Sequence, residues 1–166
     1  MIRVVVDDLA FVETDATVRP ASTNLEPISS ALRNIEKIAG PAFQKQLSVK
    51  EQFSVGAAVV TDAGDLPAAV VIHAVIQGPD EPVTRSGIRK TLVQVLQQVN
   101  AWQLAKIAIP PLGVGPGNLE LDVVAQIMRE VICEHEILAQ YPEEICIVVD
   151  SEDEKSVVDS IVTGSV

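Results

Sequence analysis

The chain has 166 residues, 48% hydrophobic but only 3% aromatic, with twelve Lys and Arg against twenty-three Asp and Glu and a formal net charge of -11. This length fits one domain, residues 1 to 166, burying roughly 70% of its unfolded surface around a core of Val, Ile, Leu and Ala. The charge excludes a nucleic-acid surface or an anionic membrane as the expected partner, and leaves room for a small anion held by backbone dipoles.

Residues 2 to 6 and 15 to 18 read as short strands, separated by the polar and acidic Asp7, Asp8, Glu13 and Thr14. From Ile28 the apolar Ala31, Leu32, Ile35 and Ala39 recur at helical spacing until Gly40-Pro41 ends the helix. A second helical piece is expected from Ala42 to about Val49. Residues 56 to 60 form a strand candidate, Asp65-Leu66-Pro67 a turn, and residues 69 to 76 a further strand. After Gly78-Pro79 and Glu81-Pro82, the residues Ile88, Leu92, Val95, Leu96 and Val99 mark one face of a longer helix.

A strand at 106 to 109 then runs into a loop with glycine at 113, 115 and 117, and a helix follows with Leu121, Val124, Ala125, Met128 and Ile132 as its buried face. The last strand, 145 to 149, leads into Ser151-Glu152-Asp153-Glu154, a helix N-terminal cap with acids in the first turn. Val157, Val158, Ile161 and Val162 are expected to bury that final helix. Strands alternating with helices imply an α/β domain with helices on both faces of a largely parallel sheet. In such folds ligands bind at the carboxyl ends of the strands, where the glycine loop falls.

The loop lacks the Lys-Ser/Thr ending of a P-loop and the spacing of a dinucleotide fingerprint. By itself it is either a phosphate cradle at a helix N-terminus or a tight strand-to-helix turn. Cys133 and Cys146 have no metal spacing and are expected as two reduced, packed thiols. Cys133-Glu134-His135-Glu136 reads as a solvated helix face, and His73 as a structural histidine. The N-terminal apolar stretch is too short for a signal peptide and no apolar run approaches membrane-spanning length, so a cytoplasmic location is expected.

Four segments, in order and spacing, resemble the macro domain, the ADP-ribose-binding module. Asp7-Asp8-Leu9-Ala10 is similar to the family's Gly-Asp-Ile-Thr, and Asp15 to Leu25 is similar to Asp-Ala-Ile-Val-Asn-Ala-Ala-Asn-x-x-Leu. Gly56 to Thr61, Leu66-Pro67-Ala68 and Val71 to Val75 resemble Gly-x-Ala-Val-x-Thr, Leu-Pro-Ala and Val-Ile-His-Thr-Val. Ile107 to Pro110, Gly113 to Asn118 and Leu121-Asp122 look like the family's strand, phosphate loop and helix start.

The resemblance implies a three-layer α/β/α sandwich around a mixed, mostly parallel sheet, with ADP-ribose along a cleft at the strand ends. It implies that Asp8 meets the adenine amino group and that Gly113, Val114, Gly115, Pro116, Gly117 and Asn118 hold a phosphate. Arg19, Ala21 and Ser22 stand in the segment that approaches the diphosphate and distal ribose, with Arg19 and Ser22 at the family's two asparagine positions. The family's Gly-Gly-Gly loop is missing: after Asn24-Leu25 the chain reads Glu26-Pro27-Ile28-Ser29-Ser30-Ala31-Leu32.

For individual residues the readings remain double. Asp8 is an adenine ligand or a solvated turn carboxylate; Arg19 pairs with a diphosphate or makes a structural salt bridge; Ser22 meets a ribose hydroxyl or is a turn hydroxyl. The expected function is binding of ADP-ribose or a related adenine nucleotide, with weak or no hydrolase activity, no catalytic residue, no cofactor and no metal. The alternatives are an ADP-ribosyl hydrolase or O-acetyl-ADP-ribose deacetylase, and a degenerate macro-fold scaffold acting through oligomerisation. The expected partners are the nucleotide, an ADP-ribosylated protein and a second copy of the chain.

Overall fold

The β-branched runs become the strands of one six-stranded sheet in the computed structural model, which describes residues 1–48, 52–115 and 119–164. The strands are β1 (Ile2–Val6), β2 (Thr14–Ser22), β3 (Ala58–Asp62), β4 (Ala68–Gln77), β5 (Lys106–Ile109) and β6 (Glu144–Val149). Their order is β1-β6-β5-β2-β4-β3, and every pairing is parallel except that of β3 with β4.

Because side chains alternate across a strand, each strand feeds two cores. Ile145, Ile147 and Val149 of β6, with Ile107 and Ile109 of β5, enter a core covered by α3 (Arg85–Ala101), α4 (Leu121–Leu138) and α5 (Glu152–Val162). Cys146, Val148 and Ala108 point the other way, against α1 (Ser30–Ala39) and α2 (Pro41–Leu47). The result is the expected three-layer α/β/α sandwich with a mixed, mostly parallel sheet.

Hydroxyl caps start three of the helices. Ser29 Oγ accepts from Leu32 N at 3.3 Å, Thr84 Oγ1 from Gly87 N at 3.0 Å and Ser151 Oγ from Glu154 N at 3.2 Å. Glu154 reaches back to accept from Asp150 N at 2.8 Å, which makes the last of these a reciprocal cap.

Element boundaries differ where tertiary pairing overrides the local pattern. β2 runs from Thr14 to Ser22, longer than the expected 15 to 18, because β4 pairs along its length and β5 along part of its other side. The strand expected at 56 to 60 starts at Ala58, since Gly56 and Ala57 form a turn that still bonds to Val75. The helix expected from Ile28 begins at Ser30, where Ser29 caps it, and Val49 at the expected end of α2 lies outside the described residues.

Two packing expectations are corrected. Val157 is 39% exposed, because α5 packs along α4, β1 and β6 through Val158 and Val162, which are buried, and Ile161, which is partly buried. Cys146 is a packed thiol in β6, whereas Cys133 is exposed on α4. Among the described residues no helix is long and apolar enough to cross a membrane. The register of α5 predicts that Val158→Ala costs about 2 kcal/mol while Val157→Ala stays within about 0.5 kcal/mol. Urea denaturation of the two variants checks this.

Candidate functional site

The carboxyl ends of β1, β2, β5 and β6 open onto one cleft of about 580 Å³. Its walls are the Val6–Leu9 segment, the loop from Pro110 to Gly115, the end of β6 with Glu154, and the start of α1 from Ile28 to Ile35. The cleft therefore lies at the seam where the two helical layers meet over the sheet edge.

Asp8 stands on the first wall. Its backbone N–H donates to Asp7 Oδ1 at 2.7 Å, and its own Oδ1 accepts from Ala10 N at 3.0 Å, capping the short 3-10 turn Leu9–Phe11. Asp7 N is in turn held by Val149 O at 3.3 Å, which ties this loop to β6. One Asp8 oxygen is engaged in the cap, and the carboxylate is left exposed at the cleft with its second oxygen available to a donor.

The opposite wall is the glycine loop. Gly113 has φ +86, and a Cβ there would stand 2.9 Å from Val83 Cγ1 and 3.0 Å from Ile88 Cδ1, so both conformation and packing demand glycine. Its carbonyl accepts from Leu119 N at 3.0 Å, which sets the direction of the chain into α4. Gly115 has φ +77 with no described atom within 4 Å of a hypothetical Cβ, so among the described residues only its backbone conformation requires glycine. Gly113, Val114 and Gly115 all line the cleft, while Pro116, Gly117 and Asn118 lie outside the described residues.

The other nominated residues are not brought to it. Arg19 is fully buried and turned into the α1–α2 side of the sheet. Its Nε donates to His73 Nδ1 at 2.8 Å, Nη2 to Leu25 O at 2.7 Å, and Nη1 to Glu36 Oε1 at 3.2 Å. Strand parity explains this: Pro20 lines the cleft, whereas Arg19 sits in register with His73, deep in the sheet. Ala21 is buried and bridged to Pro27. Ser22 Oγ donates to Asn24 Oδ1 at 3.0 Å and accepts from Glu26 N at 3.1 Å, so both of its hydrogen-bonding roles are filled locally.

Burial pushes the Arg19 guanidinium down to about 10, with Glu36 opposing by its charge and hydrogen bond; it stays protonated at neutral pH. Burial first, and the Arg19 charge second, hold His73 well below the usual 6.5. His73 is thus neutral. Since Nδ1 accepts from Arg19, its proton is on Nε2 and is donated to Thr61 Oγ1 at 2.8 Å. Phe43 stacks on the ring, with centroids 5.9 Å apart.

Ile28 and Leu32 line the cleft from the stretch that lacks the family's glycines, while sequence reasoning did not foresee Asp150 and Glu154 as cleft residues. The signals were present: Ile28 and Leu32 replace the missing glycines, and Glu154 closes a helix cap beside the β6 end. Among the described lining residues are Asp7, Asp8, Asp150 and Glu154 but no Lys or Arg. A phosphate there must be met by backbone N–H groups and helix dipoles. Among the described residues no group of three or more metal-capable side chains converges.

The family model described as Macro domain matches residues 18–128. An uncharacterised protein of Mycobacterium tuberculosis is 29% identical over 128 residues, covering 77% of this chain and 36% of the relative. Mouse protein mono-ADP-ribosyltransferase PARP9 is 32% identical over 137 residues, covering 76% of this chain and 16% of the relative. The chain spans about a third of the length of the mycobacterial relatives.

Among solved structures, a Trypanosoma brucei macrodomain in complex with ADP-ribose superposes with TM-score 0.86 at 21% identity, covering 97% of this chain and 68% of that one. An Oceanobacillus iheyensis macrodomain mutant with ADP-ribose gives 0.85 at 20% identity, covering 97% and 91%.

The neutral, buried His73 predicts a pH dependence of stability. Its folded pKa lies below its unfolded one, so the unfolded chain takes up the proton first as pH falls below about 6.5, and stability is lost from there downward. The wild-type chain should lose up to about 1.4 kcal/mol per pH unit more than His73→Gln between pH 6.5 and 5. Urea midpoints of both chains across that range measure the difference.

Proposed function

The chain belongs to the macro domain family, and on that premise we propose that its cleft binds ADP-ribose or a related adenine nucleotide, with weak or no hydrolase activity. The observation that carries this reading is the facing of Asp8 and the Gly113–Gly115 loop across one cleft. The Asp8 carboxylate accepts from the adenine amino group, and the Gly113–Gly115 backbone holds a phosphate. The related folds that hold ADP-ribose in the Trypanosoma brucei and Oceanobacillus iheyensis structures support the ligand class.

Weak or absent turnover follows from what the β2–α1 connection offers. Hydrolysis needs a nucleophile or a positioned water beside the bond to be cleaved. Ser22 has both hydrogen-bonding roles filled by Asn24 and Glu26, and Arg19 is consumed in the core. We place the protein in the cytoplasm, where it reads a free adenine nucleotide.

Calorimetric titration with ADP-ribose, ADP and AMP tests the binding. At least one should give a saturable isotherm, and the absence of heat for all three at millimolar concentration sinks the reading. Asp8→Asn presents a donor where the carboxylate accepted, and should weaken the bound nucleotide at least about tenfold. ADP-ribosylated protein and O-acetyl-ADP-ribose should not be turned over.

A further inference from the structure

Ile28 packs against both halves of the core: against the α3–α5 cluster that contains Leu112, and against the α1–α2 cluster that contains Leu32 and Ile35. A side chain can touch both layers only by crossing the strand ends, so Ile28 lies between the Ser29-capped start of α1 and the glycine loop. It is half-buried and lines the cleft. Past it the described lining stops: Ser22, Asn24 and Gln77, at the ends of β2 and β4, are not part of it.

The hydrogen-bond inventory of the β2–α1 connection points the same way. On the β2–α1 side a second phosphate would be met by the backbone donors of this connection. Leu25 N is bound to Ser22 O at 2.9 Å, Glu26 N to Ser22 Oγ at 3.1 Å and Thr23 N to Gln77 O at 2.9 Å; Pro27 has no N–H. No Lys or Arg in the described lining replaces them. The N–H groups of Thr23, Leu25 and Glu26 are thus taken within the protein, beside the space that the Ile28 side chain fills.

We infer that Ile28 ends the cleft after one phosphate, so that the ligand class is an adenine nucleoside with a single phosphate, and the second phosphate and distal ribose of ADP-ribose are shut out. This rests on the adenine-nucleotide reading above and narrows it. The Asp8 wall and the Gly113–Gly115 loop carry the recognition, and Ile28 sets the length limit.

The test is calorimetric titration of the full chain, wild type, Ile28→Ala and Ile28→Gly, with AMP and with ADP-ribose. The wild type should bind AMP at least about tenfold more tightly than ADP-ribose. Ile28→Ala should narrow that ratio and Ile28→Gly should abolish or reverse it. Thermal melts confirm folding; if the glycine variant does not fold, the alanine variant and the wild-type ratio still decide. ADP-ribose binding more tightly than AMP to the wild type overturns the length limit while leaving nucleotide binding intact. Failure of both ligands overturns the nucleotide reading itself. A wild-type preference for AMP that Ile28→Ala and Ile28→Gly leave unchanged overturns the role of Ile28.

Discussion

A guanidinium sealed inside the sheet is the constraint on which the cleft depends. Removing an arginine charge from water costs several kcal/mol unless its donors are matched by acceptors, and Arg19 meets this with a ring nitrogen, a carboxylate and a carbonyl from three different segments. The carbonyl belongs to Leu25, which sits at φ +60, a conformation few leucines adopt. Arg19 thereby holds the chain in a turn that a leucine does not favour. The course of Glu26 to Ser29, and hence the start of α1, follows from that turn. One wall of the cleft is set by a residue that never reaches it.

The same arrangement decides the division of labour around the ligand. In the resemblance, the second of the two asparagine positions reaches the distal ribose; here the first position is spent on the core and the second closes a local turn. On the β2–α1 side the N–H groups of Thr23, Leu25 and Glu26 and the Ser22 hydroxyl are satisfied within the protein. What remains open is on the β1, β5 and β6 side, where Asp8 and the glycine loop face each other. The asymmetry of the cleft is thus an accounting of hydrogen bonds, settled by the chain before any ligand arrives.

Much of this was legible in the residues. Helix caps at Ser151 and the helical stripe from Val124 to Ile132 depend on contacts within a few turns, and local pattern reports them directly. The glycine loop was legible because φ above zero leaves few alternatives to glycine at 113 and 115. The antiparallel placement of β3 was not, since its direction is set by pairing with β4 at the sheet edge and not by its own residues. Arg19 was legible as a structural salt bridge, made with Glu36, but its full burial was not, because that depends on partners up to 54 residues away in sequence. Ile28 was visible as a missing glycine, but its contact with both layers is a property of the assembled fold.

The alternation of strand side chains has a mechanical consequence. Each helical layer owns its own core, and the strands are the partition between them. Above the sheet edge that partition ends, and among the described residues the Ile28 side chain packs against both cores. A nucleotide seated there acts as a rivet between two otherwise separately packed plates. Its occupancy should stiffen α1 and the α3–α5 layer together, although it touches little of either, so slowed amide exchange in helices remote from the cleft would be the signature of a filled site.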